Sequence, residues 1–233
     1  NIQQRQYRGT GFETVYWPQP QFQDFDPYLR LFGVEQIREV LMDRTQSHLE
    51  LETQVNRTAV REYDPQKVAL PFLIRAVGAH FSSTSPLTRH LGDLLFIWGN
   101  RFALDPARLQ AAGLAYQPLI NASSKAWSFA WKGGWLPPEI LQSATYLEGE
   151  QPLALSLQGP FPAVEFQEDA EGRKQLVVQT TASPPPPGNL VLIGCSEMFK
   201  NEYLHAALFQ PDQLLLNAVA LLAYGPELGA LQA

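Results

Sequence analysis

The sequence predicts an α/β domain on an open sheet, mixed or mostly parallel, with helices on its flanks. Three observations carry that expectation. Near the end of the chain Leu190-Val191-Leu192-Ile193 is an uninterrupted apolar run that enters Gly194 and a short polar turn. Such a run suits a strand buried on both faces, the usual state of strands in parallel sheets. The most regular helical pattern follows at Pro211–Tyr224, and strand, tight turn and returning helix are the parts of an open α/β sheet, whose functional turns lie at the carboxyl ends of strands. Upstream, short apolar or alternating runs at Leu94–Trp98, Ala115–Ile120, Leu153–Leu157 and Gln175–Thr181 recur between turn residues and capped helical segments.

In chain order, residues 1–24 are rich in Gln and show no sustained period, although Phe12–Trp17 suits a short strand; they read as an extended N-terminal arm. Residues 25–233 read as one α/β domain. Asp26 as N-cap, Pro27 at the first helical position and Gly33 beyond the end delimit a helix. Strands are expected at Glu39–Asp43, across the alternating segment His48–Tyr63 with its hairpin partner, and at the more apolar Val68–Val77. Ser82–Ser85 is a polar loop followed by a helical turn at Pro86, and Asp105-Pro106 opens a second short helix that Gly113 stops. Trp127, Trp131 and Trp135, four apart and flanking Gly133-Gly134, read as irregular aromatic chain. Glu165–Lys174 reads as an exposed acidic hairpin tip, and Pro184–Pro187 as a rigid spacer. The last helix is apolar nearly all round, which predicts that it is buried on most sides or covered by a partner.

The composition narrows the function. At 233 residues the chain is long enough to bury a core, and 45% hydrophobic with 17% charged residues describes an ordinary globular protein. A formal charge of -6 without a basic stripe argues against nucleic acid as a partner. A single cysteine excludes an intramolecular disulfide. No apolar run approaches the roughly 20 residues needed to span a bilayer, and the sequence reads as a soluble piece of a longer protein.

Cys195, on the strand-to-turn junction, stands where a nucleophile would stand. That chemistry needs a base within reach and a glycine-rich elbow, whereas Glu197 occupies the place where the elbow takes Gly, and no His-x-Glu or His-x-Asp surrounds the downstream His205. The bland reading, a small thiol beside a buried strand, is preferred. His48, His80, His90 and His205 are isolated from one another, so no close-spaced metal pair exists. Neither a dinucleotide fingerprint nor a phosphate loop is present, so no metal and no cofactor is expected. The tryptophans are core packing, a partner contact or a stacking platform for sugar. Asn56-Arg57-Thr58 and Asn121-Ala122-Ser123 match the glycosylation sequon, which matters only in a eukaryotic secreted context.

Three groups of residues together carry a family resemblance. The first is Tyr28-Leu29-Arg30-Leu31-Phe32-Gly33-Val34 with Val40-Leu41-Met42-Asp43. The second is Ser85-Pro86-Leu87-Thr88, with Ser85 where the family has His, and Pro118-Leu119-Ile120-Asn121-Ala122-Ser123-Ser124-Lys125-Ala126-Trp127. The third is Leu192-Ile193-Gly194-Cys195-Ser196-Glu197-Met198-Phe199 with Leu216-Asn217-Ala218-Val219-Ala220-Leu221-Leu222. The chain from about Asp26 to Tyr224 thereby resembles the extracytoplasmic auxiliary subunit of bacterial ABC transporters, the gliding-motility-associated type. It departs from that family at Cys195, where the family has Asp.

The resemblance implies a domain related to the class I glutamine-amidotransferase or flavodoxin-like fold without its catalytic residues. It also implies a place outside the cytoplasmic membrane, periplasmic or extracytoplasmic, anchored by transmembrane helices elsewhere in the protein. The partners it implies are the membrane and ATPase subunits of an ABC transporter. The leading expectation is a non-enzymatic component that binds a partner or substrate, with Ser123, Ser124, Trp127, Ser196 and Glu197 as contact residues. A Cys195-dependent amidotransferase-like hydrolase, and a glycan- or peptide-binding module on Trp127, Trp131 and Trp135, stand as alternatives.

Overall fold

The computed structural model describes residues 2–6, 12–16, 25–52, 65–134, 136, 138–172, 174–179, 185–204 and 208–224. The chain opens with β1 (Ile2–Gln6) and β2 (Phe12–Tyr16), an antiparallel pair. Helix α1 (Asp26–Leu31) follows, then β3 (Val34–Ile37), β4 (Val40–Asp43), β5 (Gln46–Glu52), the long β6 (Pro65–Ala76), β7 (Leu94–Ile97) and β8 (Arg101–Leu104). Helix α2 (Pro106–Ala111) precedes β9 (Ala115–Asn121), β10 (Ala126–Phe129), β11 (Pro152–Pro160), β12 (Val164–Glu168), β13 (Lys174–Val178) and β14 (Pro187–Ile193). A four-residue α3 (Asn201–Leu204) and the 14-residue α4 (Pro211–Tyr224) complete the described elements.

Every strand pair among the described residues is antiparallel. The sheets are small: β14-β11-β9, β5-β6-β7, and the pairs β3-β8, β4-β10, β12-β13 and β1-β2. This overturns the expected mixed or parallel α/β sheet with flanking helices and its glutamine-amidotransferase or flavodoxin likeness. A parallel pair needs a crossover of about a dozen residues or more, usually a helix. Here α1 and α2 are six residues each, and the one long helix follows the last strand. The apolar run in β14 has another origin. Val191 and Ile193 pack into one hydrophobic cluster, with Leu70, Phe72, Ile74, Leu94–Ile97, Leu119 and Leu214, while Leu190 and Leu192 pack into a second, with Leu29, Phe32, Phe102, Leu109 and Leu155. Antiparallel β14 is thus apolar on both faces because the central sheet lies between two cores.

Several local expectations hold. Asp105 caps α2 by accepting from the N–H groups of Ala107 and Arg108, and Gly113 takes the positive φ of +71° that stops it. Pro27 lies in the first turn of α1 and Gly33 just past its end. Asp26, however, is not the cap. Phe25 holds that place, and the Asp26 carboxylate, 5% exposed, instead accepts from Arg38 Nε at 3.0 Å. The tryptophan segment is not irregular where Trp127 lies, since Ala126–Phe129 is β10, paired with β4. The strands at 40–43, 94–97 and 115–121 fall where the apolar runs and turn residues put them, and a hairpin stands at 164–178, although residues 165–168, read as part of its tip, are strand β12.

The last helix is buried on one face only, so of its two expected settings burial on most sides does not hold. Pro211, Leu214 and Ala218 face the core, while Leu215, Leu216, Val219 and Leu222 are exposed. No helix among the described residues is long and apolar enough to cross a membrane.

Candidate functional site

Two turns leave the central sheet at one edge. Strands β9 and β14 both run antiparallel to β11, so both finish where β11 begins. Ala122 N–H donates to Gln151 O at 3.0 Å, and Gly194 N–H donates to Leu153 O at 2.8 Å. With β11 between them, the two strand ends lie about 10 Å apart, twice the interstrand spacing. The two turns differ in what they do.

The turn after β9 is anchored by a buried charge. Asp43, at the end of β4, is 0% exposed. Its Oδ2 accepts from Ser123 N–H at 2.6 Å; its Oδ1 accepts from the Ser123 hydroxyl at 2.6 Å and from the N–H and hydroxyl of Thr45 at 2.8 Å each. A buried carboxylate is tolerated when such bonds replace its hydration. Ser123 Oγ in turn accepts from Lys125 N–H at 3.0 Å, and Ala126 then pairs with Asp43 in the β10-β4 ladder. The turn at 121–125 is therefore fixed at both ends.

A second loop, 79–84, faces it. Phe81 bridges antiparallel to Ile120, Ser82 N–H donates to Leu119 O at 2.8 Å, and the Thr88 hydroxyl donates to Ser82 O at 2.6 Å. Gln117, on β9, donates through Nε2 to Thr84 Oγ1 at 2.8 Å and Ser82 Oγ at 3.2 Å. Between the two loops lies an open cleft of about 620 Å³, within the range of small-molecule sites. Its lining includes His80, Phe81, Ser83, Thr84, Gln117, Asn121, Ser123, Ser124 and the exposed Glu150. His80 Nδ1 lies 2.9 Å from Val77 N and 3.2 Å from Val77 O, which ties the ring to the start of the loop. Asn121 Oδ1 is buried and has no hydrogen-bond partner.

The turn after β14 is closed. Cys195 is buried, and its thiol donates to Ile97 O at 3.4 Å. Burial pushes the thiol pKa up; backbone hydrogen bonds, including those from Met198 and Glu197, act against that rise, and the Glu197 charge adds to it. Ser196 leads into a 3₁₀ turn at Glu197–Phe199, and Glu197 pairs with Lys200 at 2.6 Å. Among the described residues, the hydrogen bonds of the thiol are with backbone groups.

Of the five contact residues read from the sequence, Ser123 and Ser124 lie on the cleft, whereas Ser196 and Glu197 belong to the separate turn beyond β11. Trp127 is only 5% exposed. Its indole N–H donates to Ile140 O at 2.9 Å, and the Arg44 guanidinium lies 5.4 Å from the centre of its ring. It is packed from both sides and offers no stacking platform. Trp131 donates to Gly134 O at 3.0 Å; Trp135 and His205 lie outside the described residues. Sequence reasoning missed Asp43, Thr84, Gln117 and Asn121 as parts of one site, because only the fold brings 43, 84, 117 and 121 together. The signal present was that Asp43, Asn121 and Ser123 all fall in resemblance motifs.

A further hydrogen bond joins two other motif segments: Asn217 Nδ2, on α4, donates to Leu87 O at 3.0 Å. No group of three or more His, Cys, Asp or Glu side chains that could hold a metal ion exists among the described residues. Residues 2–225 match the family described as ABC-type uncharacterized transport system. No curated protein and no solved structure matches the chain. With a match over nearly its whole length, the chain belongs to this family and is an auxiliary component of an ABC-type transport system.

Proposed function

We propose that the chain is a non-enzymatic component of its transport complex, lies outside the cytoplasmic membrane, and acts by binding a ligand in the cleft between loops 79–84 and 121–124. The observation that carries this reading is the construction of that cleft. Its walls are held by Asp43 on one side and by Gln117 and Thr88 on the other, while Asn121 keeps a buried, unpartnered oxygen. A site fixed before its ligand arrives loses less conformational freedom on binding. The buried thiol of Cys195 supports binding over covalent catalysis, because a reactive cysteine needs a stabilised, accessible thiolate.

The proposed partners are the membrane and ATPase subunits of the transporter. Tagged full-length protein, extracted gently from its own membranes, should bring both subunits down in a fixed ratio, and protease added outside intact spheroplasts should cut this domain. Loss of both subunits, or protection until the membrane is broken, would contradict the reading.

A further inference from the structure

We propose that the ligand of the cleft is an uncharged, polyhydroxylated molecule, a saccharide or the sugar end of a glycan; this rests on reading the cleft as the recognition surface. Small-molecule sites are mostly apolar with a few polar groups, and this one inverts that proportion. Ser83, Thr84, Gln117, Asn121, Ser123 and Ser124 line it with hydroxyls and carboxamides, groups that both donate and accept. That is the hydrogen-bonding character of an alcohol. No lysine or arginine lines the cleft, and the lining carries one carboxylate, that of the exposed Glu150. A phosphate, sulfate or carboxylate would find no lysine or arginine there and only the His80 imidazole as an ionisable nitrogen, and a divalent cation would find too few ligands.

The lining is also ordered in advance. Gln117 is tied to Ser82 and Thr84, and Ser123 is tied to Asp43. Asn121 lines the cleft between them, and its carboxamide adds a further group that donates and accepts. Phe81 and Pro118 add apolar surface for the C–H face of a sugar ring. An extended peptide fits less well, because such ligands add a strand to a free sheet edge. The outer edge of β9 is engaged by Phe81 and by the Ser82 N–H, and Pro118 has no N–H to give.

The test is a two-dimensional ¹H–¹⁵N titration of the 233-residue chain with neutral di- to tetrasaccharides of glucose, galactose, mannose and N-acetylglucosamine. Tetra-alanine and inorganic phosphate are titrated in parallel. At least one saccharide should shift the amides of Ser83, Thr84, Asn121 and Ser124 saturably. Asn121→Ala, and independently the surface change Ser124→Ala, should weaken that binding by about fivefold, the loss of one hydrogen bond. Saturation of the same amides by the peptide or by phosphate, but by no saccharide, overturns the ligand class and leaves the cleft as the recognition surface. If no probe shifts the cleft amides, or the shifts fall elsewhere, both readings fail.

Discussion

The carboxylate of Asp43 accepts both the N–H and the hydroxyl of Ser123, each at 2.6 Å, across 80 residues of sequence. Through this one contact the end of β4 sets the shape of the turn that closes β9, and so one wall of the cleft. The Thr45 bonds complete the shell around a fully buried charge.

Asp43→Ala should therefore be among the most damaging single changes to the domain. It leaves the N–H groups of Ser123 and Thr45 unsatisfied, with a cost of about 3 kcal/mol or more by the usual penalty for orphaned buried donors. Ser123→Ala, which keeps the backbone bond, should cost about 1–2 kcal/mol. The urea midpoint at constant m-value reads both. Equal, small effects would show that the carboxylate does not hold the turn.

Gly194 is predicted to be irreplaceable for a steric reason. A Cβ there would overlap the backbone carbonyl of Asn100, whose own N–H donates to Gly194 O at 2.7 Å. Because the obstacle is backbone, no side-chain rotation relieves it. Gly194→Ala should destabilise by about 3 kcal/mol, as other overpacked core positions do at their worst, or prevent folding. A melting temperature unchanged from wild type would show that the β14 turn and the β7–β8 connection are not packed this closely.

Helix α4 should divide sharply by face. Leu214 is 0% exposed, and Leu214→Ala should cost about 2–5 kcal/mol. Leu216, 61% exposed, should accept Lys with a change within about 0.5 kcal/mol. Chemical unfolding of the two variants decides; matching losses would mean that the outer face is covered in solution.

These contrasts show which parts of the molecule were legible in the sequence. Asp105-Pro106 and Gly113 delimit α2 because capping is local chemistry, complete within a few residues. The β12-β13 hairpin is likewise marked by its Gly172 turn, at φ +73°, although its first strand was read as part of the tip. Strand direction is not local. Leu190–Ile193 looks the same in a parallel sheet as in an antiparallel one packed between two cores, and periodicity cannot separate them. The burial of α4 failed for a related reason: a helix apolar all round records what its faces tolerate, not which face meets the core. The cleft was half visible. Asn121, Ser123 and Ser124 stood out within a motif, whereas Thr84 and Gln117 acquire a role only when β9 and loop 79–84 come together.

Cys195 gives the fold a pH dependence of definite sign. Burial raises its pKa in the folded state above that of the free thiol, about 8.5. Between those values the unfolded chain has lost the proton that the folded chain retains, so stability falls as pH rises. The contribution is complete below about pH 8 and declines above it. Unfolding measured from pH 7 to 10 should show that decline, and Cys195→Ser should flatten it. Iodoacetamide should modify the thiol only as fast as the domain opens; rapid modification of the folded domain near pH 6 would show an accessible thiolate instead.

The claim that the domain works by binding in its cleft, and not by chemistry at Cys195, is tested most directly in the cell that makes it. Transport-dependent growth or movement is measured in strains whose native copy carries either Cys195→Ser or the pair Asn121→Ala and Ser124→Ala, both checked for normal protein level and complex assembly. Binding in the cleft predicts wild-type output for Cys195→Ser and at least about a tenfold loss for the pair, since each lost hydrogen bond is worth about 1 kcal/mol. Full output from the cleft pair with loss in Cys195→Ser would contradict it.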